Sequence, residues 1–192
     1  MSAKTLLKQA IVAAKEGNIE AMTEALTQIN RAEIDEDSQA LFDVGHLELM
    51  YGPSESAHAD GLSLYRRASQ LGHAGAKLNL ACFARTGSSC FGIEKNISGA
   101  ISLYREVLEL DHATNEELRT ALSELAGIYG DKGFPGYDFG TSLLFAAYAL
   151  RVDPFPPARD IVKDTLEKWG ISLEAYYSHG ISDLRLKNRW LQ

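Results

Sequence analysis

The chain has 192 residues, 45% hydrophobic and 23% charged, with a formal charge of −7 and a pI near 5.2. That length suits one compact domain or one short superhelix, and the composition is ordinary for a globular protein. The acid excess argues against nucleic acid and anionic membrane as partners, while Cys82 and Cys90 are too few for a disulfide framework and lack metal-ligand spacing.

Taken in chain order, Met1 to Glu16 mixes apolar residues with Lys4, Lys8 and Lys15. It lacks the unbroken apolar run of a signal peptide. No later stretch reaches about 18 apolar residues, so a soluble cytoplasmic protein is expected. Apolar periodicity predicts helices over 5–15 and 20–29, turning at Gly17-Asn18, and a third over 40–50. A repeat then begins. Gly61-Leu-Ser-Leu-Tyr-Arg66 returns 39 residues on as Ala100-Ile-Ser-Leu-Tyr-Arg105, and a weaker copy, Gly140-Thr-Ser-Leu-Leu-Phe145, follows 40 later. Such a period marks stacked helical hairpins, in which no unit buries its apolar face alone.

Each copy is expected to open a helix. Leu64, Ala68 and Leu71 make the buried stripe of the first, and Leu103, Val107 and Leu110 that of the second. The second helix of each hairpin is predicted over 74–84 and 116–129, and a helix over 158–169 is expected to pair with the third copy. Residues from Ser172 onward, including Trp190, read as a cap on the last apolar face. Punctuation agrees: Asn18, Asn96 and Asp138 suit N-caps, and Thr114-Asn-Glu-Glu117 reads as a capping box. Gly52, Gly87, Gly130 and Gly170 are placed to end helices in left-handed geometry, and Pro154-Phe-Pro-Pro157 blocks a helix. The sum is an all-α chain of eight to ten helices without strands. It reads as a single helical-repeat domain over 1–192, with N-terminal helices to 58, the clearest repeats over 59–170, and a cap over 171–192.

The stretch from Gly61 to Ala81 resembles the Sel-one-like repeat, a relative of the tetratricopeptide repeat. Tyr65, Ala68, Gly72, His73, Ala74, Ala76 and Leu80 occupy the family's positions, and Gly92-Ile-Glu-Lys-Asn96 resembles the turn opening its next helix. Residues 41–112 carry the match best. The family's Leu-Gly becomes Leu80-Ala81 and Leu125-Ala126, and the turns at 86–92 and 111–118 are longer than its pattern. The resemblance implies an α/α solenoid, a right-handed superhelix of stacked antiparallel hairpins used mainly for protein–protein interaction. It supplies no catalytic residues.

Nor does the rest of the sequence. There is no nucleophile elbow, no phosphate-binding Gly-Lys-Ser/Thr loop and no His-Glu-x-x-His. Gly87-Ser-Ser-Cys-Phe-Gly92 lacks the lysine and leading strand of a phosphate cradle and reads as a long inter-helix turn. Of the histidines at 46, 58, 73, 112 and 179, His73 and His112 are register-equivalent turn residues without a second ligand at helical spacing. Cys82 reads as core and Cys90 as a loop thiol; Arg185, Lys187 and Arg189 read as solvated helix-end charge. Tyr65 and Tyr104 suit burial between hairpins. Equivalent solenoid positions project to one side, so Arg66, Arg105 and Phe145 are expected to form one row and Ser63, Ser102 and Ser142 a parallel one. Such rows suit gripping partner carboxylates beside an aromatic anchor; surface pairing of the arginines with Glu106 or Glu109 is the plainer use.

The expected function is a non-enzymatic adaptor or scaffold binding a protein or peptide, with no cofactor, metal or small-molecule substrate. Its small size and acidity also suit an inhibitor or immunity protein that blocks a basic toxin or enzyme. A third reading is an enzyme with dispersed residues such as Asp131, Tyr137 and Asp138.

Overall fold

The computed structural model describes residues 1–152. The expected helix over 158–169, the cap from Ser172 with Trp190, the Pro154–Pro157 stop, Gly170, His179 and the Arg185–Arg189 cluster lie outside the described residues. Two compact units divide the chain, Met1–His112 and Ala113–Gln192. The boundary falls inside the segment of clearest repeats, between the second and third copies.

Eight α-helices make up the described residues, with an isolated bridge in place of any strand. In the first unit these are α1 (Ala3–Lys15), α2 (Ile19–Thr27), α3 (Ser38–Tyr51), α4 (Glu55–Gln70), α5 (Ala74–Thr86) and α6 (Ile97–Leu108). The expected caps form: Asn18 Oδ1 accepts the Ala21 N–H at 3.0 Å, and Asn96 Oδ1 the Gly99 N–H at 2.9 Å. One boundary departs from expectation. The first repeat copy lies inside α4, which starts six residues earlier because Ser54 Oγ caps it, accepting the Ala57 N–H at 3.2 Å.

Pairing also departs by one helix. α3 packs most extensively on α4 and α5 on α6, so each repeat copy closes a hairpin with the helix before it rather than opening one. Glycines set the α3–α4 distance: a Cβ on Gly45 would lie 2.9 Å from the Gly61 carbonyl oxygen, and one on Gly61 2.8 Å from that of Gly45. Helices that touch backbone to backbone tolerate no side chain between them. Around this contact Leu6, Leu7, Ala10, Met22, Leu26, Ile34, Leu41, Val44 and Leu47 form the core with Ala68 and Ala76. Tyr65 and Tyr104 are buried as expected, at 2% and 0% exposure.

The turn after α5 is closed on itself. Ser88 and Ile93 exchange two backbone hydrogen bonds of 2.8 Å. The Phe91 ring between them packs edge-on to Phe83 and His58 at 5.3 and 5.5 Å. Of the glycines expected to be left-handed, Gly87 has positive φ; Gly52 has φ −59°, and Gly130 is the last residue of its helix. Gly17 and Gly72 take positive φ instead, turning α1 into α2 and α4 into α5.

In the second unit α7 (Asn115–Gly130) begins at the expected capping box, where Thr114 and Glu117 each satisfy the other's backbone N–H. It packs along α8 (Phe139–Val152), and Ala121, Leu122, Leu125 and Ile128 are its buried residues. Asp138 Oδ1 accepts the Gly140 N–H at 3.0 Å. Hydrogen bonds, first from the Thr141 hydroxyl, hold the Asp138 carboxyl below its ordinary value.

Candidate functional site

Along α3, Gln39, Phe42, Asp43 and His46 recur every three or four residues and share one face. Opposite them α5 contributes His73 at its N-cap, then Gly75 and Asn79. Gly75 lies against both rings: a Cβ there would stand 3.2 Å from the His73 ring and 3.5 Å from the tip of Phe42. Between the two helices α4 inserts Tyr65.

Phe42 orders the rings. It stacks on His73 at 4.3 Å and 16°, on Tyr65 at 5.1 Å and 9°, and more loosely on His46 at 6.1 Å. Near-parallel offset rings of this kind add about 0.5–1.5 kcal/mol per pair beyond the area they bury.

Two hydrogen-bond chains run through this layer. His73 Nδ1 accepts the Ala76 N–H at 3.1 Å, so the ring proton lies on Nε2, which donates to Gln39 Oε1 at 3.1 Å. Gln39 Nε2 then donates to Asp43 Oδ1 at 2.9 Å. In the second chain Asn79 Nδ2 donates to the Tyr65 hydroxyl at 3.1 Å. The arrangement that satisfies all three groups has Tyr65 donate its own proton to His46 Nδ1, 2.9 Å away. His46 itself is exposed.

Charge is distributed unevenly around it. Burial holds the Asp43 carboxyl above its ordinary value; the Gln39 hydrogen bond and the nearby His73 and His46 pull it down, while Asp37 adds a push upward. Among the described residues Asp43 has no ion pair. Burial also raises the Glu48 carboxyl, yet Glu48 is paired with Arg31, which a short 3-10 turn (Arg31–Glu33) delivers. Asp37 has Lys4 at 3.1 Å, and Glu106 has Lys77 at 2.5 Å. The Tyr65 hydroxyl is pushed up by burial, against the pull of Asn79.

The residues expected to form the binding rows are placed differently. Ser63 and Arg66 on α4 and Ser102 on α6 are exposed, and Arg105 is half-buried. Glu106, a candidate partner for the arginines, is occupied by Lys77. Phe145 turns inward: it is 3% exposed and stacks on Tyr129 at 5.7 Å, so it offers no surface anchor. Ser142 donates to the Ala126 carbonyl at 2.7 Å, tying α8 to α7. Both corrections have one cause, since α8 presents its inner face to α7 at these positions. Cys82 is exposed rather than core, because the neighbouring Ala81, at 0% exposure, takes the inward direction. His73 and His112 do serve turns, His73 as a cap and His112 by donating from Nε2 to the Gly72 carbonyl at 3.0 Å. Asp131, Tyr137 and Asp138 are exposed, and Asp131, like Asp138, accepts a turn amide, that of Gly133 at 2.8 Å.

The sequence reading missed Gln39, Phe42, Asp43, His46 and Asn79 as a group. A signal existed: Asn79 is a polar residue set between Leu78 and Leu80 in the middle of α5. Among the described residues no His, Cys, Asp and Glu cluster is placed to hold a metal ion, and no helix is long and apolar enough to cross a membrane. No protein-family model matches this chain, and no curated protein matches it.

Proposed function

We propose that this chain is a non-enzymatic protein–protein interaction module of the cytoplasm. Its hairpins stack as a right-handed α/α solenoid of Sel-one-like, tetratricopeptide-related type. Support for the architecture comes from the recurring motif and from the regular pairing of α3 with α4, α5 with α6 and α7 with α8. The observation that carries the binding reading is the ordered layer across α3 and α5. Hydrogen bonds and stacking fix Gln39, Asp43, His46 and Asn79 in place, and a pre-ordered surface loses little entropy on association.

Affinity capture of the tagged full chain from a lysate of its host tests this reading. One stoichiometric protein is expected, and its recovery should fall when His46 and Asn79 are both replaced by Ala. Absence of any specific protein at low and high salt would remove the reading. Arg66→Ala, alone and with Arg105→Ala, tests whether the exposed side of α4 and α6, with Ser63 and Ser102, contributes. The net charge of −7 favours one variant of the same reading, an inhibitor that covers a cationic enzyme. Tight, salt-sensitive binding to a single basic enzyme distinguishes it from a scaffold with several weaker partners.

A further inference from the structure

Asp43 differs from the other buried or half-buried carboxylates of the first unit, Asp37, Glu48 and Glu106, each of which has a lysine or arginine beside it. Glu48 sits in a more enclosed place and has a guanidinium, Arg31, delivered to it by a dedicated turn. Asp43 is held above its ordinary ionisation range by partial burial, and the first unit brings no lysine or arginine to it. Its surroundings are nevertheless ordered. Gln39 fixes Oδ1 from one side, and His73 fixes Gln39 in turn. Oδ2 accepts no hydrogen bond from a described residue, although it is not sealed from solvent. Next to it His46 is exposed with its Nδ1 engaged by Tyr65, leaving Nε2 directed away from that bond.

A carboxylate partly stripped of water gains more from a cation than one in bulk solvent, because the cost of desolvation has already been met in folding. Fixed geometry adds direction, and guanidinium and ammonium groups are the side-chain cations that supply several donors to one carboxylate.

Resting on the interaction-module reading, we propose that the α3 face bearing Asp43 receives an arginine or lysine side chain of a partner protein, with Asp43 as its counter-ion. The occupant's chemistry follows from the absence, among the described residues, of a lysine or arginine paired with Asp43. An acidic partner segment would bring like charge onto Asp43, and an apolar one would leave it buried and unmatched.

The test is selection of peptides from a random displayed library against the full chain, followed by affinity measurements on synthetic copies. Selected peptides are expected to share one Arg or Lys position. Changing that position to Gln in the peptide, or Asp43→Asn in the protein, should each weaken binding at least about tenfold. The two changes together should cost little more than either alone, which identifies them as partners. Glu20→Gln, which removes an exposed carboxylate of α2, should leave affinity within about twofold. Peptides that bind equally well to Asp43→Asn, or that share no basic position, overturn the counter-ion role and leave the interaction-module reading standing. Failure to select any binding peptide counts against both. Because the peptide substitution leaves the protein untouched, the result does not depend on how Asp43→Asn folds.

Discussion

Asp43 keeps its charge at a cost to the fold, and the sign of that cost is measurable. Its folded-state carboxyl lies above the ordinary 3.8, so the native protein holds the proton more tightly than the unfolded chain. The resulting stability is fully present below pH 3.8 and is lost as pH rises through the folded value. Asp43→Asn removes this dependence. Urea denaturation between pH 3 and 7 should show the wild type losing stability relative to Asp43→Asn as pH rises, with the variant at least as stable at neutral pH. Parallel curves would show that burial of the carboxylate is not significant. Phe42 acts through contact rather than charge. Half-buried and stacked on His73 and Tyr65, it should cost about 2–3 kcal/mol on truncation to Ala, less than a fully buried Phe. Near-UV circular dichroism should weaken in the same variant as Tyr65 loses its stacking partner.

At the scale of the element, what was legible in the sequence is what depends on the nearest few residues. Asn18, Asn96 and the Thr114–Glu117 box bond within three positions of themselves, so residue type was enough. Thr114→Ala should lower stability by about 1 kcal/mol, seen as a lower midpoint in thermal unfolding, whereas Thr27→Ala, at the end of α2, should move it far less. The start of α4 was not legible, because residues 55–60 carry no apolar stripe and only Ser54 announces the helix. Hairpin partners were misassigned for a related reason. Helices such as α5 bear apolar residues toward both neighbours, and the choice between them rests on the glycine contact of α3 with α4, which is far apart in sequence. A longer separation hid the site: Asp43 reads as ordinary surface, and the His73 that fixes its Gln39 partner lies 34 residues beyond Gln39. Gly45→Ala should test the contact. Alanine favours a helix by about 1 kcal/mol, yet its Cβ would lie 2.9 Å from the Gly61 carbonyl and 3.0 Å from the Tyr65 ring. A net loss of about 1–2 kcal/mol is expected; a gain in stability would mean the helices separate freely.

Across the whole molecule the sequence conveyed helical content, repeat period and charge. It did not convey the division at His112, because the third copy continues the same period beyond it. The charge of −7 leads to a kinetic expectation. Association with a basic partner should slow about tenfold between low and physiological ionic strength, while dissociation changes little. Equal association rates at both salts would leave steering without a role. The glycine contact of α3 with α4 bears on how a saturation screen for binding would read. Gly45 and Gly61 lie beneath the surface that carries His46, and a methyl group on either would spread α3 from α4, whose buried Tyr65 hydroxyl holds the His46 ring. Such a screen would score both glycines as binding determinants although neither reaches the ligand. Their signature would be an affinity loss shared evenly by every ligand of that surface, where true contact positions discriminate between one ligand and the next.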